Sequence, residues 1–282
     1  MIIREIPSDQ ARFVNELVSS AFDYQAPHTF FHDFPIWASN GVTRLGIFED
    51  ETLLSHVGVR FAEIRTSSGS EKIALIGAVA TDAKHRGKGL STELMKEALK
   101  RIDAQKCSWS ILWGSEHGFY AKLGFNLAGI QTRAPLAKLS FAPKDLVSTE
   151  IKVGLTDAIL KSLFSTQHGI VLTEADTGWI KAHKTVAWLS IDQPFAFAAF
   201  ERGMDLQHIV HESGGDARSL EKILFRIYSN DSLAEIIGTR GHLETLGFQN
   251  SDLIKECLCL ARPLHPTGPW RDEYWISGIS AC

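Results

Sequence analysis

Two short blocks hold the residue types best suited to chemistry: Arg86-Gly87-Lys88-Gly89-Leu90-Ser91 and, one strand later, Phe119-Tyr120-Ala121-Lys122-Leu123-Gly124-Phe125. In the first, two glycines in a basic turn let the backbone approach an anion closely. A helix beginning at that turn aims its unpaired N–H groups and the positive end of its dipole at the same point. The turn reads as a cradle for a diphosphate. It is not a P-loop, since G-x-x-x-x-G-K-[ST] is absent, and not G-x-G-x-x-G, since no third glycine follows Gly89 at that spacing. By itself, R-G-x-G is equally the mark of a solvated basic turn capping an ordinary helix.

Positioning these blocks requires a strand before the turn and a helix after it. Residues 73–80 form an apolar run, and Leu90, Leu94, Ala98 and Ile102 make one stripe of a helix whose other face carries Glu93, Lys96, Glu97, Lys100 and Arg101. Upstream, residues 2–6 read as a strand and 9–22 as a helix, with Phe13, Val14, Leu17, Val18, Ala21 and Phe22 recurring at three and four. Residues 23–40 are irregular and rich in aromatics, His and Pro, which predicts a loop and a short helix near a site. Strands at 43–48, 53–65 and 72–80, joined by turns at Glu49-Asp50-Glu51 and Ser67-Ser68-Gly69-Ser70, predict an antiparallel meander. A strand at 108–113, a short helix at 116–123 and strands at 125–130 and 134–141 follow.

Residues 142–150, with Pro143, Lys144 and Asp145, break the pattern as a linker does. The second half then repeats the first in outline: helices near 156–165 and 174–183, strands at 187–191, 195–201 and 206–211, a Ser213-Gly214-Gly215 turn, a helix at 217–228 and a strand at 233–237. Leu246-Gly247-Phe248 echoes Leu123-Gly124-Phe125. Val79 to Ile102 is 23 positions and Val210 to Ile227 is 17, so about six residues covering the basic turn are missing, and no tyrosine matches Tyr120. A chance Leu-Gly-Phe match is easy to find, but the ordered series favours a degenerate internal repeat. The predicted organisation is a first domain at 1–141, a linker at 142–150, a second domain at 151–262 and an extended tail at 263–282 carrying Trp270, Tyr274 and Trp275, whose rings would pack on one of the domains.

At 282 residues, 44% hydrophobic and 22% charged, the chain is globular, and a formal charge of −4 offers no global basic field for nucleic acid. The N-terminus lacks the features of a leader and no window nears 18 uninterrupted apolar residues, so the expectation is a cytoplasmic protein with no membrane partner. Cys107, Cys257, Cys259 and Cys282 lack zinc spacing, and Cys257 and Cys259 on one apolar strand would share a packed face. The 11 histidines form no ligand motif, so no metal is expected.

The first 140 or so residues resemble the GNAT N-acetyltransferase superfamily. Its signature R/Q-x-x-G-x-G/A corresponds to Arg86, Gly89 and Ser91, and its second block to residues 119–125. Ser91 departs from the preferred Gly or Ala, and its hydroxyl could itself donate to phosphate. The resemblance implies an α/β fold with a mixed, mostly antiparallel sheet flanked by helices, followed by a second, degenerate GNAT-like module. It implies acetyl-CoA in a V-shaped opening between the strand ending at Val79, Ala80 and Thr81 and the strand at 110–113. The pantetheine arm would pair with the exposed strand backbone. The diphosphate would rest on the amides of Arg86, Gly87, Lys88, Gly89, Leu90 and Ser91, and an N–H near Val79 would hold the thioester carbonyl.

By the same resemblance Tyr120 is the acid that protonates the leaving thiolate, with packing under the cofactor as its other reading. Some family members use a glutamate on the fourth strand as base, but residues 73–80 contain no carboxylate. Glu116 and His117 are the nearer candidates for a base, and both also suit a solvent-facing helix start. His28, His32 and Asp33 are weaker ones that fit ordinary loop bonding. The implied activity is acetyl transfer to the primary amine of a small molecule. A non-catalytic acyl-CoA-binding or interaction protein is the alternative.

Overall fold

Strand β1 (Ile2–Glu5) leads through a 3-10 turn into helix α1 (Arg12–Ala21), whose Val14, Leu17 and Val18 are buried. This computed structural model describes residues 2–67, 69–141, 150–166, 168–257, 259–264 and 274–281. The aromatic stretch folds into α2 (Phe30–Asp33) and a 3-10 turn at Pro35–Ala38. β2 (Val42–Glu49), β3 (Thr52–Thr66) and β4 (Gly69–Thr81) form the antiparallel meander. After α3 (Leu90–Asp103), β5 (Trp109–Trp113) pairs with β4 in parallel, and α4 (His117–Ala121) and β6 (Asn126–Leu127) follow. All four residues of the α3 stripe are buried, with Met95 and Leu99, in a core shared with Leu45, Val57, Ala74 and Leu112 of the sheet.

The chain goes on with β7 (Gln131–Pro135), β8 (Lys152–Val153), α5 (Asp157–Phe164), β9 (Gly169–Ile170) and α6 (Thr177–Ala182). It continues with β10 (Ala187–Asp192), β11 (Phe195–Phe200), β12 (Ile209–Gly215), α7 (Ala217–Asn230), β13 (Glu235–Gly238), α8 (Arg240–Thr245), β14 (Ile254–Glu256) and β15 (Cys259–Pro263). Three expectations shift. Ser213-Gly214-Gly215 is not a turn but the end of β12, paired with residues 196–198. The strand expected at 134–141 is β7, which ends at Pro135, where a 3-10 turn (Leu136–Lys138) begins. Cys257 lies outside β15 and is exposed, so the two thiols do not share a strand face.

The two sheets follow one plan. The first runs β1-β2-β3-β4-β5-β15-β6, and the second, read in the matching direction, runs β8-β10-β11-β12-β13-β7-β14. Along these two orders the parallel pairs are β4 with β5 and β12 with β13, each crossed over by a helix of 14 residues, α3 or α7. The strand beside each parallel pair comes from the other half of the sequence. β15 pairs with β5 and β6, and places Leu260 in the first core. β7 pairs with β13 and β14, and places Ala134 in the second.

Among the described residues the structural units are discontinuous, 2–129 with 259–264 and 274, and 130–257 with 275–281, rather than the contiguous 1–141 and 151–262. Of the expected linker, 142–149 lies outside the described residues, as does half of the tail, Trp270 included. Among the described residues no helix is long and apolar enough to cross a membrane.

Candidate active site

The turn between β4 and α3 is built by backbone sign. Gly87 and Gly89 hold φ of 77° and 81°, in the left-handed region, and a Cβ on either would meet nothing within 4 Å. Glycine is needed there for conformation, not for room in the protein. Gly89 is the N-cap of α3 and no side chain caps the helix. Among the described residues no protein acceptor takes the N–H groups of Gly87, Lys88, Gly89, Leu90 and Ser91. Lys88 is exposed and Leu90 is buried in the core. Arg86 does more than add charge: Nε donates to the Thr81 carbonyl (3.3 Å) and Nη2 to the Ala21 carbonyl (3.2 Å), tying the turn to the ends of β4 and α1. Ser91 Oγ lies 3.3 Å from Thr81 Oγ1, which is 2.8 Å from Ser55 Oγ, so hydroxyls join the helix start to the strand end.

Beside this turn the sheet opens. The parallel ladder of β4 and β5 runs from Ile73 with Trp109 to Ile76 with Leu112 and stops. Ala80 and Thr81 pair only with β3, at His56 and Ser55, and a register shift between His56 and Gly58 puts an extra residue into β4. Ala78 takes the strain with φ of 53°. His56, fully buried on β3, lies with Nδ1 2.8 Å from the Ala78 carbonyl. Burial first, opposed by that bond, pushes the imidazole down to about 4, so at neutral pH it is uncharged. Only a protonated Nδ1 can bond a carbonyl, which fixes the tautomer and leaves Nε2 buried without a partner among the described residues.

Tyr120 sits in α4, where the Glu116 carbonyl accepts from the N–H groups of Phe119 (2.9 Å) and Tyr120 (3.2 Å). Its ring is 7% exposed and meets Phe119 and Phe125 edge-on at centroid distances of 4.9 and 6.2 Å. Burial, then the charge of Glu116, pushes the phenol up to about 12, so it keeps its proton throughout the neutral range. Gly114, just past β5, gives the ring its place: a Cβ there would lie 2.8 Å from Tyr120 Cε2. Gly114→Ala is accordingly expected to displace the ring and lower turnover by roughly 10-fold while acetyl-CoA affinity holds. Steady-state rates with calorimetry check this, and an unchanged rate would show that the ring's seat is not critical.

Glu116 and His117 are both exposed at the start of α4. The loop candidates serve the loop: His28 Nδ1 lies 3.4 Å from Asp33 Oδ1, and His32 Nδ1 lies 3.2 Å from the Pro27 carbonyl.

Residues 2–128 match the family model of the acetyltransferase (GNAT) domain. This first stretch is thus similar to the GNAT acetyltransferase domain, and the match ends short of half of the chain. Among solved structures, a GCN5-related N-acetyltransferase from Anabaena variabilis is 14% identical with a TM-score of 0.66, over 94% of this chain and 73% of that one. Another, from Kribbella flavida, is 15% identical with a TM-score of 0.63, over 93% and 70%. A Pyrococcus horikoshii protein is 16% identical with a TM-score of 0.59, over 100% and 95%. At such identities the likeness is one of fold. No curated protein matches the sequence.

The second unit lacks the glycine turn and the tyrosine of the first. Where residues 82–89 separate β4 from α3, the single residue Asp216 separates β12 from α7. Its Oδ1 accepts the N–H of Ser219 at 2.9 Å, so a carboxylate occupies the helix start. The Leu-Gly-Phe echo is geometric: Phe125 donates to the Tyr120 carbonyl and Phe248 to the Leu243 carbonyl, both at 3.2 Å, across glycines with φ of 86° and 100°. Leu243 thus stands where Tyr120 does, without a phenol.

Sequence reasoning did not single out His56 or Gly114. A histidine inside the apolar run Leu53–Phe61 and a glycine directly after a strand were the available signals. Glu201, His208 and Asp231 also bring ligand-type atoms within 4.8 Å of one another, from positions too far apart for spacing to reveal. His208 Nδ1 lies 2.6 Å from Asp231 Oδ2, and this bond raises the histidine pKa.

Proposed function

We propose that the first module is a cytoplasmic, acetyl-CoA-dependent N-acetyltransferase acting on the primary amine of a small molecule. The observation that carries this reading is the row of unclaimed N–H groups from Gly87 to Ser91, opening beside a parallel strand pair that ends at Ile76 and Leu112. Such a row at a helix start suits paired phosphates, and the absent Cβ atoms at positions 87 and 89 leave the approach clear. The end of β4, free on one side, suits an amide-bearing arm laid along it.

Acetyl-CoA supplies an activated acetyl group and a thiolate leaving group. The chain supplies the rest. Arg86, through Thr81 and Ala21, holds the turn in place. A backbone N–H near Val79, in the stretch that His56 fixes through Ala78, lies ready to hold the acyl oxygen as it gains charge. Tyr120 keeps a proton at Oη for the departing sulfur. The amine proton leaves toward Glu116 or His117, directly or through water.

Thiol release from acetyl-CoA across a panel of primary amines tests the reading, with mass spectrometry of the amine. The expected result is amine-dependent thiol and an acetylated product. Tight acetyl-CoA binding with no release over the whole panel would favour the binding-protein alternative.

A further inference from the structure

The second module contains a cavity of about 330 Å³, lined by β12, β11, the end of α5 and the tail residues Trp275 and Ser277. Its place in the fold is informative. β4 continues five residues past its last parallel pair, from Ile76 to Thr81, and β12 continues five past its own, from Val210 to Gly215. Glu212, Ser213 and Gly214, which line the cavity, therefore occupy the positions of Ala78, Val79 and Ala80. The second module has closed its helix start with Asp216 yet kept a hollow where the first module opens.

We propose that this cavity is a non-catalytic binding site for a small organic cation, an ammonium group on an aromatic or aliphatic body. Glu212 is the one Asp, Glu, Lys or Arg among its described lining residues, and its side chain is only 10% exposed. Oε1 accepts the N–H of Ile279 at 2.9 Å and lies 4.0 Å from Nδ1 of the buried His211, while Oε2 has no partner among the described residues. A carboxylate drawn this far from water calls for a cationic partner, and none of the lining side chains is Lys or Arg. The walls agree with the charge: Trp275 and Phe197 offer aromatic faces, Leu163 an apolar one, and Ser213 and Ser277 hydroxyls.

The tail that contributes Trp275 is fastened in place. Arg202 donates to the carbonyls of Gly278 and Ala281, and Gly169, with φ of 94°, lies so close to Trp275 that a Cβ would come within 2.7 Å of its carbonyl oxygen. A wall fixed before binding loses little freedom when a ligand arrives. The volume falls at the small end of ligand sites and suits a cation of about ten heavy atoms.

The test uses the full chain with no acyl donor, so its outcome is separate from that of the thiol-release assay. Phenethylammonium and its neutral isostere 2-phenylethanol are titrated by calorimetry, with tryptophan fluorescence in parallel. The cation is expected to bind at least ~10-fold tighter than the alcohol, the size of one charge-assisted hydrogen bond. Glu212→Gln, which keeps an acceptor for Ile279, should abolish the preference, and Trp275→Phe should remove most of the fluorescence response. Equal affinities for the two probes, cation binding that survives Glu212→Gln, or no saturable binding would each overturn the proposal. If Glu212→Gln fails to fold, the comparison of probes on the unaltered protein still decides.

Discussion

Tyr120→Phe is expected to lower turnover by roughly 10²-fold and to leave acetyl-CoA affinity unchanged. The substitution keeps the ring that packs on Phe119 and Phe125 and fills the space left by Gly114, so the core around α4 persists. What is lost is one proton held at Oη. Burial pushes that phenol up to about 12, so the acid form is present at every assay pH up to about 10. A free thiol, with a pKa of ~8.5, is already a fair leaving group, so the loss should stop near two orders of magnitude. Saturating-amine kinetics alongside calorimetry separate the effects. Equal rates would take Tyr120 out of the mechanism, and a matching loss of affinity would make it a packing residue.

Gly89→Glu is expected to weaken acetyl-CoA binding by at least ~10²-fold in a protein that still folds. An added Cβ meets nothing in the protein, so the effect does not come from bulk against neighbouring atoms. The backbone at φ of 81° disfavours any L side chain by roughly 1–2 kcal/mol, which re-aims the amides that follow. The new carboxylate then sits at the positive end of α3, where it steadies the helix and repels phosphate together. Asp216 at the start of α7 already does this in the second module. Gly89→Ala, lacking the charge, should lose only about 10-fold. Calorimetry that gives unaltered affinity for Gly89→Glu, with an unaltered melting curve, would refute the diphosphate cradle.

Local patterns made much of this legible. The α3 stripe, the meander and the glycine turn each depend on neighbours within a few positions, and each stands where periodicity and turn residues put it. The exchange of β7 and β15 does not, because β5 can be flanked by any short apolar strand of suitable register. Residues 125–141 offered a nearby hairpin that the fold does not use beside β5. His56 and Gly114 were missed for the same reason: what they do depends on Ala78 and Tyr120, reached only through tertiary packing. The cavity needed a tail that pattern reading could describe only as an arm.

The borrowed strand also orders events during synthesis. When residue 141 has left the ribosome, β5 has one bare edge and β6 has nothing to pair with, since both bind β15. Roughly 120 further residues must emerge first, on the order of 6–24 s at ~5–20 residues per second. Throughout that interval a nascent chain carries an unpaired edge of Trp109–Trp113, a standing invitation to chaperones and to neighbouring chains alike.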